Sequence, residues 1–595
     1  MNKYFILFCI FFNISLSAQE VISDLISNPL LLNTEYETIS NKSVLNLPFF
    51  DDFSYDASIV DPELWEQASV FVNRTYPLNP PTIGVATFDG LDEFGLARGF
   101  NQASNTEPSD TLLSKEIDLS GFASVYMMFY YQAKGIGDAP EVQDQLVLEF
   151  LNDTLGWEQI WSSNDSLLQD FSKVIKVIDE PKFLHNYFKF RFRNYATISG
   201  SFDHWHIDYI KIDELLSASD TNKLNDVSFV YNSPSFLNRY FEMPWTHFLN
   251  NEASELKDSI DILLRNNDAS INVDYQYNIF ENNLQTFHYP LLGVSRNVSV
   301  LDYDTIGNFS FANPPIDVVS SVFNSFQSDS ATFIIQNIIG TYSSDVKLND
   351  TIYHTQSFHS HFAYDDGTAE SAYGININGA KLAYEFKLNR PDTLRAVQMY
   401  FPQMLDSVSH IPFNLTIWDN ISGSGNIIYQ QIAYPLHTEN GTYHTYYLDS
   451  LFQLVGTFYV GWEQMTNDLL NIGLDKNNES NNYMFYNVGA GWNMSSYPGS
   501  WMIRPIFSMD EIISAVTNFK DKFKVYPNPA ISEISIETST QNNTISIYSL
   551  QGILFRRFTV NSSITKINTD NFPSGIYFIE LLNDKETKYQ KIIVK

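Results

Sequence analysis

Three aspartates stand near the two ends of the first stretch that reads as one folded unit. Asp51 and Asp52 lie in Phe49-Phe50-Asp51-Asp52-Phe53, and Asp208 lies in Trp205-His206-Ile207-Asp208-Tyr209. Calcium takes roughly six to eight oxygen ligands, mostly carboxylates, carbonyls and water. If the two ends occupy neighbouring strands, Asp51, Asp52 and Asp208 are the candidate ligands of a structural calcium ion. Asp89, Asp92 and Glu93 form a second acidic cluster, better read as strand-end caps and solvated turn residues. His204 and His206 are two apart and share one face of a predicted strand. That spacing suits zinc, but no third ligand is identifiable, so the pair reads as partly buried rings beside Trp205. His359 and His361, ahead of Asp365 and Asp366, pose the same question and receive the same answer.

Patterns for covalent or phosphoryl chemistry are missing. There is no Gly-x-Ser-x-Gly elbow, no His-Glu-x-x-His and no phosphate loop. Nothing marks a particular pair of carboxylates as a glycosidase couple. The only cysteine is Cys9, inside the first apolar run, which removes thiol nucleophiles, redox pairs and cysteine zinc sites from the rest of the chain. Trp492, Tyr497 and Trp501, in a Gly-rich stretch, are either a sugar-stacking platform or the core and rim of a sandwich. The leading expectation is a binding or adhesion protein for a glycan or a surface protein. The alternatives are a secreted hydrolase and a structural spacer.

The first residues carry an address. Lys3 precedes an apolar run from Tyr4 to Leu16, and small residues follow to Ala18. This is the layout of a secretory signal peptide over residues 1–18, too short to span a bilayer. No later segment approaches about 18 uninterrupted apolar residues, so no transmembrane segment is expected in the mature chain. Charge divides what remains. The chain has 35 basic and 69 acidic residues; from Asp521 onward nine basic face seven acidic, which leaves 26 against 62 in the first 520. So acidic a body argues against nucleic acid as a partner.

The elements that must position these residues are strands. Phe188, Phe190 and Phe192 alternate with Lys189, Arg191 and Arg193; Leu146, Leu148 and Phe150 repeat the pattern, as do Phe458, Val460 and Trp462. Period-two alternation means half-buried antiparallel strands. Asn378-Gly379 and Asn440-Gly441 read as type I′ hairpin turns. The expected class is all-β: tandem β-sandwiches at 46–213, 227–353 and 354–509, with a small C-terminal sandwich at 522–595. The spacing over 227–353 suits an immunoglobulin-like sandwich.

The tail runs Val525-Tyr526-Pro527-Asn528-Pro529-Ala530, then Ile545-Ser546-Ile547-Tyr548-Ser549-Leu550-Gln551-Gly552, then Phe572-Pro573-Ser574-Gly575-Ile576-Tyr577-Phe578, and ends Lys591-Ile592-Ile593-Val594-Lys595. It resembles the type A C-terminal sorting domain of type IX secretion substrates in the Bacteroidetes. The resemblance implies a seven-stranded sandwich read by the outer-membrane secretion machinery, and a protein secreted or displayed on the outer surface by way of the periplasm. Pro527, Asn528, Pro529, Gly552, Gly575, Lys591 and Lys595 carry the signal on that basis. Pro-Asn-Pro sets an extended entry, and the two glycines are expected to supply turns. The first unit, from Phe49 through Phe129-Tyr130-Tyr131 and Gln145–Phe150 to Trp205–Ile210, resembles MAM-type and lectin-like jelly rolls, which often hold one structural calcium. The third, opening Tyr364-Asp365-Asp366-Gly367-Thr368-Ala369-Glu370, resembles jelly-roll-like modules of other proteins bearing this tail. Ten Asp-Ser/Thr-apolar triplets, among them Asp110-Thr111-Leu112 and Asp449-Ser450-Leu451, resemble the O-glycosylation acceptor of such proteins and also suit a turn that closes into a strand.

Overall fold

The computed structural model describes residues 20–31, 43–99, 106–214, 226–267, 271–290, 297–301, 310–312, 315–325, 329–341, 345–404, 410–438, 443–507, 524–530, 532–538, 543–549, 554–560, 564–569, 572–583 and 586–595. The expected signal peptide, Cys9, the Asn440-Gly441 turn and Gly552 lie outside these residues. The chain divides into two compact units, residues 1–508 and 509–595. Both are built of antiparallel strands, and the helices in the described residues are single turns such as Trp245–Phe248 and Glu252–Glu255.

Residues 49–213 form two facing sheets. One orders the strands Ser172–Ile178, Val125–Ala133, Trp205–Asp213, Val85–Phe88 and Phe71–Asn73, with Phe49–Asp51 paired to the third of these. The other orders Trp65–Ala68, Thr106–Ser114, Phe190–Thr197, Gln145–Leu151 and Trp157–Ser163. The alternation seen in the sequence becomes the inner face, since Phe188, Phe190 and Phe192 are all fully buried while Arg191 and Arg193 point outward to Glu149. Phe190 packs edge-on against Phe49 at 5.2 Å and against Trp65 at 5.6 Å, the geometry aromatic rings prefer.

The next two regions do not have separate cores. One apolar cluster runs from Val227 through Trp245, Tyr275, Phe333 and Phe358 to Tyr384, Trp462 and Phe507. The strand Thr351–Phe358 crosses the boundary expected at 353/354 and pairs with Ala331–Thr341, so by hydrogen bonding the second sandwich extends to Phe358. The third combines a six-stranded sheet, Asn426–Ala433, Phe413–Asn420, Thr457–Gln464, Lys381–Lys387, Met484–Asn487 and Trp492–Met494, with shorter sheets centred on Leu470–Asp475 and Asp392–Met399. Its edge is completed from far away, because Val21–Ser23 pairs antiparallel with Ser371–Ile375. Glu20 anchors that strand, accepting hydrogen bonds from the Tyr373 hydroxyl at 2.7 Å and the Ser495 hydroxyl at 2.5 Å.

The Asn378-Gly379 turn differs from expectation. Only Gly379 has positive φ, +80°, whereas a type I′ turn needs both central residues there. The strands on either side, Ser371–Ile375 and Lys381–Lys387, belong to different sheets, so the turn passes the chain between layers instead of closing a hairpin.

Polar side chains fasten the three regions to one another. The Asn349 amide donates to Asp52 at 3.1 Å and to Asp226 at 3.0 Å, joining the first sandwich to the second. Buried His247 accepts the Asn389 N–H at Nδ1, so Nε2 carries the proton and donates to Asp392 at 3.1 Å. Within the third region, fully buried Asp365 accepts from the Arg504 guanidinium, the Tyr443 hydroxyl and the Gly367 N–H. The guanidinium also lies 4.3 Å over the Tyr443 ring. Removing one member of a buried ion pair strands the other, so Asp365→Asn is expected to cost about 3–5 kcal/mol in urea unfolding of the full chain. A loss below about 1 kcal/mol would mean the pair holds nothing together.

Candidate functional site

A cleft of about 820 Å³ opens where the first, second and third regions meet, lined by Tyr55 and Arg74 of the first, Tyr231 and Tyr353 of the second, and Asp366 and Lys476 of the third. Tyr353 is 57% exposed and presents its ring to the opening. Tyr231 is fixed by exchange with Asn79, donating its hydroxyl to the side chain at 2.9 Å and accepting the backbone N–H at 2.8 Å. Arg74 donates to the Ser54 carbonyl at 2.7 Å, and Lys476 donates to the Ile136 carbonyl at 2.8 Å. Neither cation has a carboxylate at ion-pair distance among the described residues, and burial pulls both pKa values down. His354 lies edge-on to Phe241 at 5.2 Å, and burial lowers it to about 4, so it is neutral at physiological pH.

Asp366 lines the cleft, and Asp475 and Glu370 are buried beside it within reach of its charge. Asp366 accepts the Thr368 N–H and hydroxyl, and Asp475 accepts the Asp366, Asn477 and Asn478 N–H groups. Glu370 accepts the Lys476 N–H at 2.9 Å. Burial first, then the charge of Asp366, push Glu370 up to about 8.

Of the calcium ligands expected from the sequence, Asp208 lies near enough to Asp52 to feel its charge, and the Thr82 hydroxyl bonds both residues, but the three carboxylates are each turned to separate donors. Asp51 accepts the Phe53 N–H and the Trp65 indole N–H at 2.7 Å; Asp52 accepts Ser54 and Asn349; Asp208 accepts the Thr82 N–H and hydroxyl. All three are buried, and burial raises their pKa values, Asp51 to about 7. Each carboxylate closes a loop or joins two regions, and the group of acids that does converge among the described residues is Glu141, Asp144 and Asp203. Burial first, then the charges of Asp144, Glu141 and Asp138, push Asp203 up to about 8. In the sequence, Asp138, Glu141 and Asp144 are spaced three apart in a loop, but their partner is about sixty residues away, and only folding pairs them.

His204 and His206 are buried rings. His204 stacks on Tyr76 with ring centroids 5.0 Å apart, accepts the Asp138 N–H at Nδ1 and shares a hydrogen bond with Ser201 through Nε2. His206 Nδ1 bonds the Thr87 hydroxyl at 2.8 Å. Burial lowers the two to about 3 and about 4. Gly135 lets the chain pass between them and Tyr76: at φ +56°, a Cβ there would meet the Tyr76 carbonyl at 2.2 Å. The aromatic platform is closed. Trp501 is fully buried, Trp492 packs edge-on to Trp418 at 5.6 Å, and Tyr497 reaches the Glu20 carbonyl.

The C-terminal unit is a seven-stranded two-sheet sandwich. Lys524–Tyr526, Glu533–Glu537 and Ile564–Asn568 form one sheet; Leu554–Val560, Asn543–Ser549, Gly575–Asn583 and Glu586–Val594 form the other. Val525, Ile534, Ile536, Ile547, Ile579 and Ile592 fill the space between. Asn528 clips the last strand to the Pro527–Pro529 entry, accepting the Ile593 N–H at 2.9 Å and donating to the Lys591 carbonyl at 3.0 Å. Lys591 and Lys595 are exposed. Gly575 opens its strand without positive φ, and a Cβ there would meet nothing nearer than the Pro573 carbonyl at 3.9 Å, so the chain does not need glycine's left-handed freedom at this position.

Residues 524–595 match the family described as the secretion system C-terminal sorting domain. The protein is therefore one exported to the cell surface or released, addressed by its tail to the type IX secretion machinery. No helix among the described residues is long and apolar enough to cross a membrane. No curated protein matches the sequence. Similar solved structures include the tandem CBM51 modules of Sp3GH98, the family 98 glycoside hydrolase from Streptococcus pneumoniae, at 9% identity over 72% of this chain and 98% of that one, TM-score 0.17. The CBM22-1–CBM22-2 tandem domain of Paenibacillus barcinonensis Xyn10C matches at 6% identity over 73% and 99%, TM-score 0.18. PorZ of Porphyromonas gingivalis, an essential surface component of the type IX secretion system, matches at 10% identity over 57% and 50%, TM-score 0.12. None of these likenesses is close enough to transfer a ligand.

Glu370 allows a check of this buried group of acids. Its folded value near 8 lies above its ordinary 4.5, so the stability it contributes is whole below 4.5 and is lost as pH rises through about 8. In Glu370→Gln that loss disappears, and urea midpoints between about pH 5 and pH 8 should fall less than in the parent protein. Equal falls in both would mean that Glu370 is already ionised in the fold.

Proposed function

We propose that this exported protein binds a glycan in the cleft between its sandwiches, and that the glycan carries acidic groups. The observation that supports this is the pair Arg74 and Lys476, which reach the cleft with no carboxylate at ion-pair distance among the described residues, in a chain of net charge −34. In so acidic a protein a basic group is easily neutralised, and two left on carbonyl oxygens retain donors for a carboxylate or sulfate. Tyr55, Tyr231 and Tyr353 supply rings against which the apolar faces of a sugar pack.

Calorimetric titration of the full chain with a uronic-acid oligosaccharide, alongside its neutral counterpart, tests the proposal. The acidic oligosaccharide should bind, and Arg74→Ala and Lys476→Ala should each weaken it by about tenfold or more, the scale of one lost charge-assisted hydrogen bond. Equal binding of both sugars, or of neither, would remove the role given to the two cations.

A further inference from the structure

Glu141, Asp144 and Asp203 each place a carboxylate oxygen within 4.8 Å of the other two. The first two sit in the loop between the strands Val125–Ala133 and Gln145–Leu151, and Asp203 sits in the turn before Trp205–Asp213. Asp144 and Asp203 are fully buried. One oxygen of each has a donor: Asp144 Oδ2 accepts the Glu141 N–H at 2.8 Å, and Asp203 Oδ2 accepts the Thr197 N–H at 2.6 Å. The other oxygen of each, Asp144 Oδ1 and Asp203 Oδ1, is buried and has no donor. Asp138 adds a fourth carboxylate beside them, accepting the Asp203 N–H at 3.4 Å. Lys134 and Lys476 act on Asp138 only through longer-range charge. Carboxylates gathered out of water without donors repel one another and are costly to desolvate, unless a cation or a shared proton holds them.

We propose that Glu141, Asp144 and Asp203 bind a divalent cation, and that the cation is calcium. The donors are all hard oxygens, with no nitrogen or sulfur among them, and they come from a loop and a turn that can adjust to calcium's irregular coordination. Glu141 is exposed, which gives the ion a way in and leaves room for water to complete its shell. Asp203 has φ +57°, an uncommon conformation for a residue with a side chain, and the cation rewards it by tying the turn to the 138–144 loop. This site is distinct from Asp51, Asp52 and Asp208, whose oxygens are already committed to donors.

The test uses the full chain, stripped with chelator and then titrated with calcium chloride while heat of binding and thermal unfolding are followed. Saturable binding should appear with a rise in Tm of about 5 °C at saturation. Glu141→Gln, at an exposed position that leaves the fold intact, and Asp203→Asn should each weaken binding at least about tenfold, while Asp52→Asn leaves it unchanged. Absence of binding, binding unaltered in both Glu141→Gln and Asp203→Asn, or a Tm that responds to pH but not to calcium would overturn the proposal. The last of these outcomes would show that a proton, not a metal, bridges the carboxylates.

Discussion

A buried carboxylate needs donors, and in a chain with 69 acidic residues against 35 basic ones most of those donors cannot be cations. The structure meets this constraint mostly with amides, hydroxyls, ring N–H and backbone N–H groups, and at Asp365 with a guanidinium, that come from another part of the chain. Asp365 draws on Arg504 and Tyr443, Asp392 on His247, Asp52 and Asp226 on Asn349, and Asp208 on Thr82. Each acid is thereby a fastening between segments more than a hundred residues apart or between adjoining sandwiches. With Cys9 the only cysteine, no disulfide can form within the chain, so these polar fastenings and the aromatic cores carry the work.

The shared core has a consequence for how the first unit behaves. Because one apolar cluster passes from Val227 to Phe507, and because Val21–Ser23 completes a sheet built from residues 371–501, the first strand and the third sandwich depend on each other. A cut between the second and third regions would expose Trp245, Phe358 and Phe362 together, a patch too apolar for a stable surface. The second and third regions are therefore one packed body, not two freely linked modules.

Some of this was legible in the sequence and some was not, for reasons that can be named. Alternation at Phe188, Phe190 and Phe192 announced a half-buried strand because side-chain direction has a period of two. The tail was legible because its segments are contiguous and fold on one another, with Asn528 reaching only to the last strand. The Asn378-Gly379 turn misled because the same dipeptide serves a layer crossing when only the glycine takes positive φ. For Asp51, Asp52 and Asp208 the sequence could place the strands near one another but not show that their oxygens meet donors in the protein, since nearness of strands says nothing about the direction of side-chain oxygens. Glu141 and Asp144 escaped notice because nothing local distinguishes them from solvated loop acids until Asp203 arrives from another turn. Arg74 and Lys476 escaped for the converse reason: a cation without a partner is defined by what surrounds it.

The cleft and the carboxylate cluster are joined by one loop. It leaves the strand Val125–Ala133 at Lys134, gives the Ile136 carbonyl to Lys476, packs Gly137 against the His204 ring, and reaches Asp138, Glu141 and Asp144 within a few residues. His204 stays neutral, so no charge on that ring opposes the fit, and Tyr76 stacks on its other face. A cation held by Asp203 and the loop's acids would hold the loop at one end, and the Lys476–Ile136 hydrogen bond holds it at the other. On the two proposals made above, the direction of Lys476 would depend on a loop whose far end lies at Glu141, Asp144 and Asp203, and calcium held there would have a physical route to the cleft.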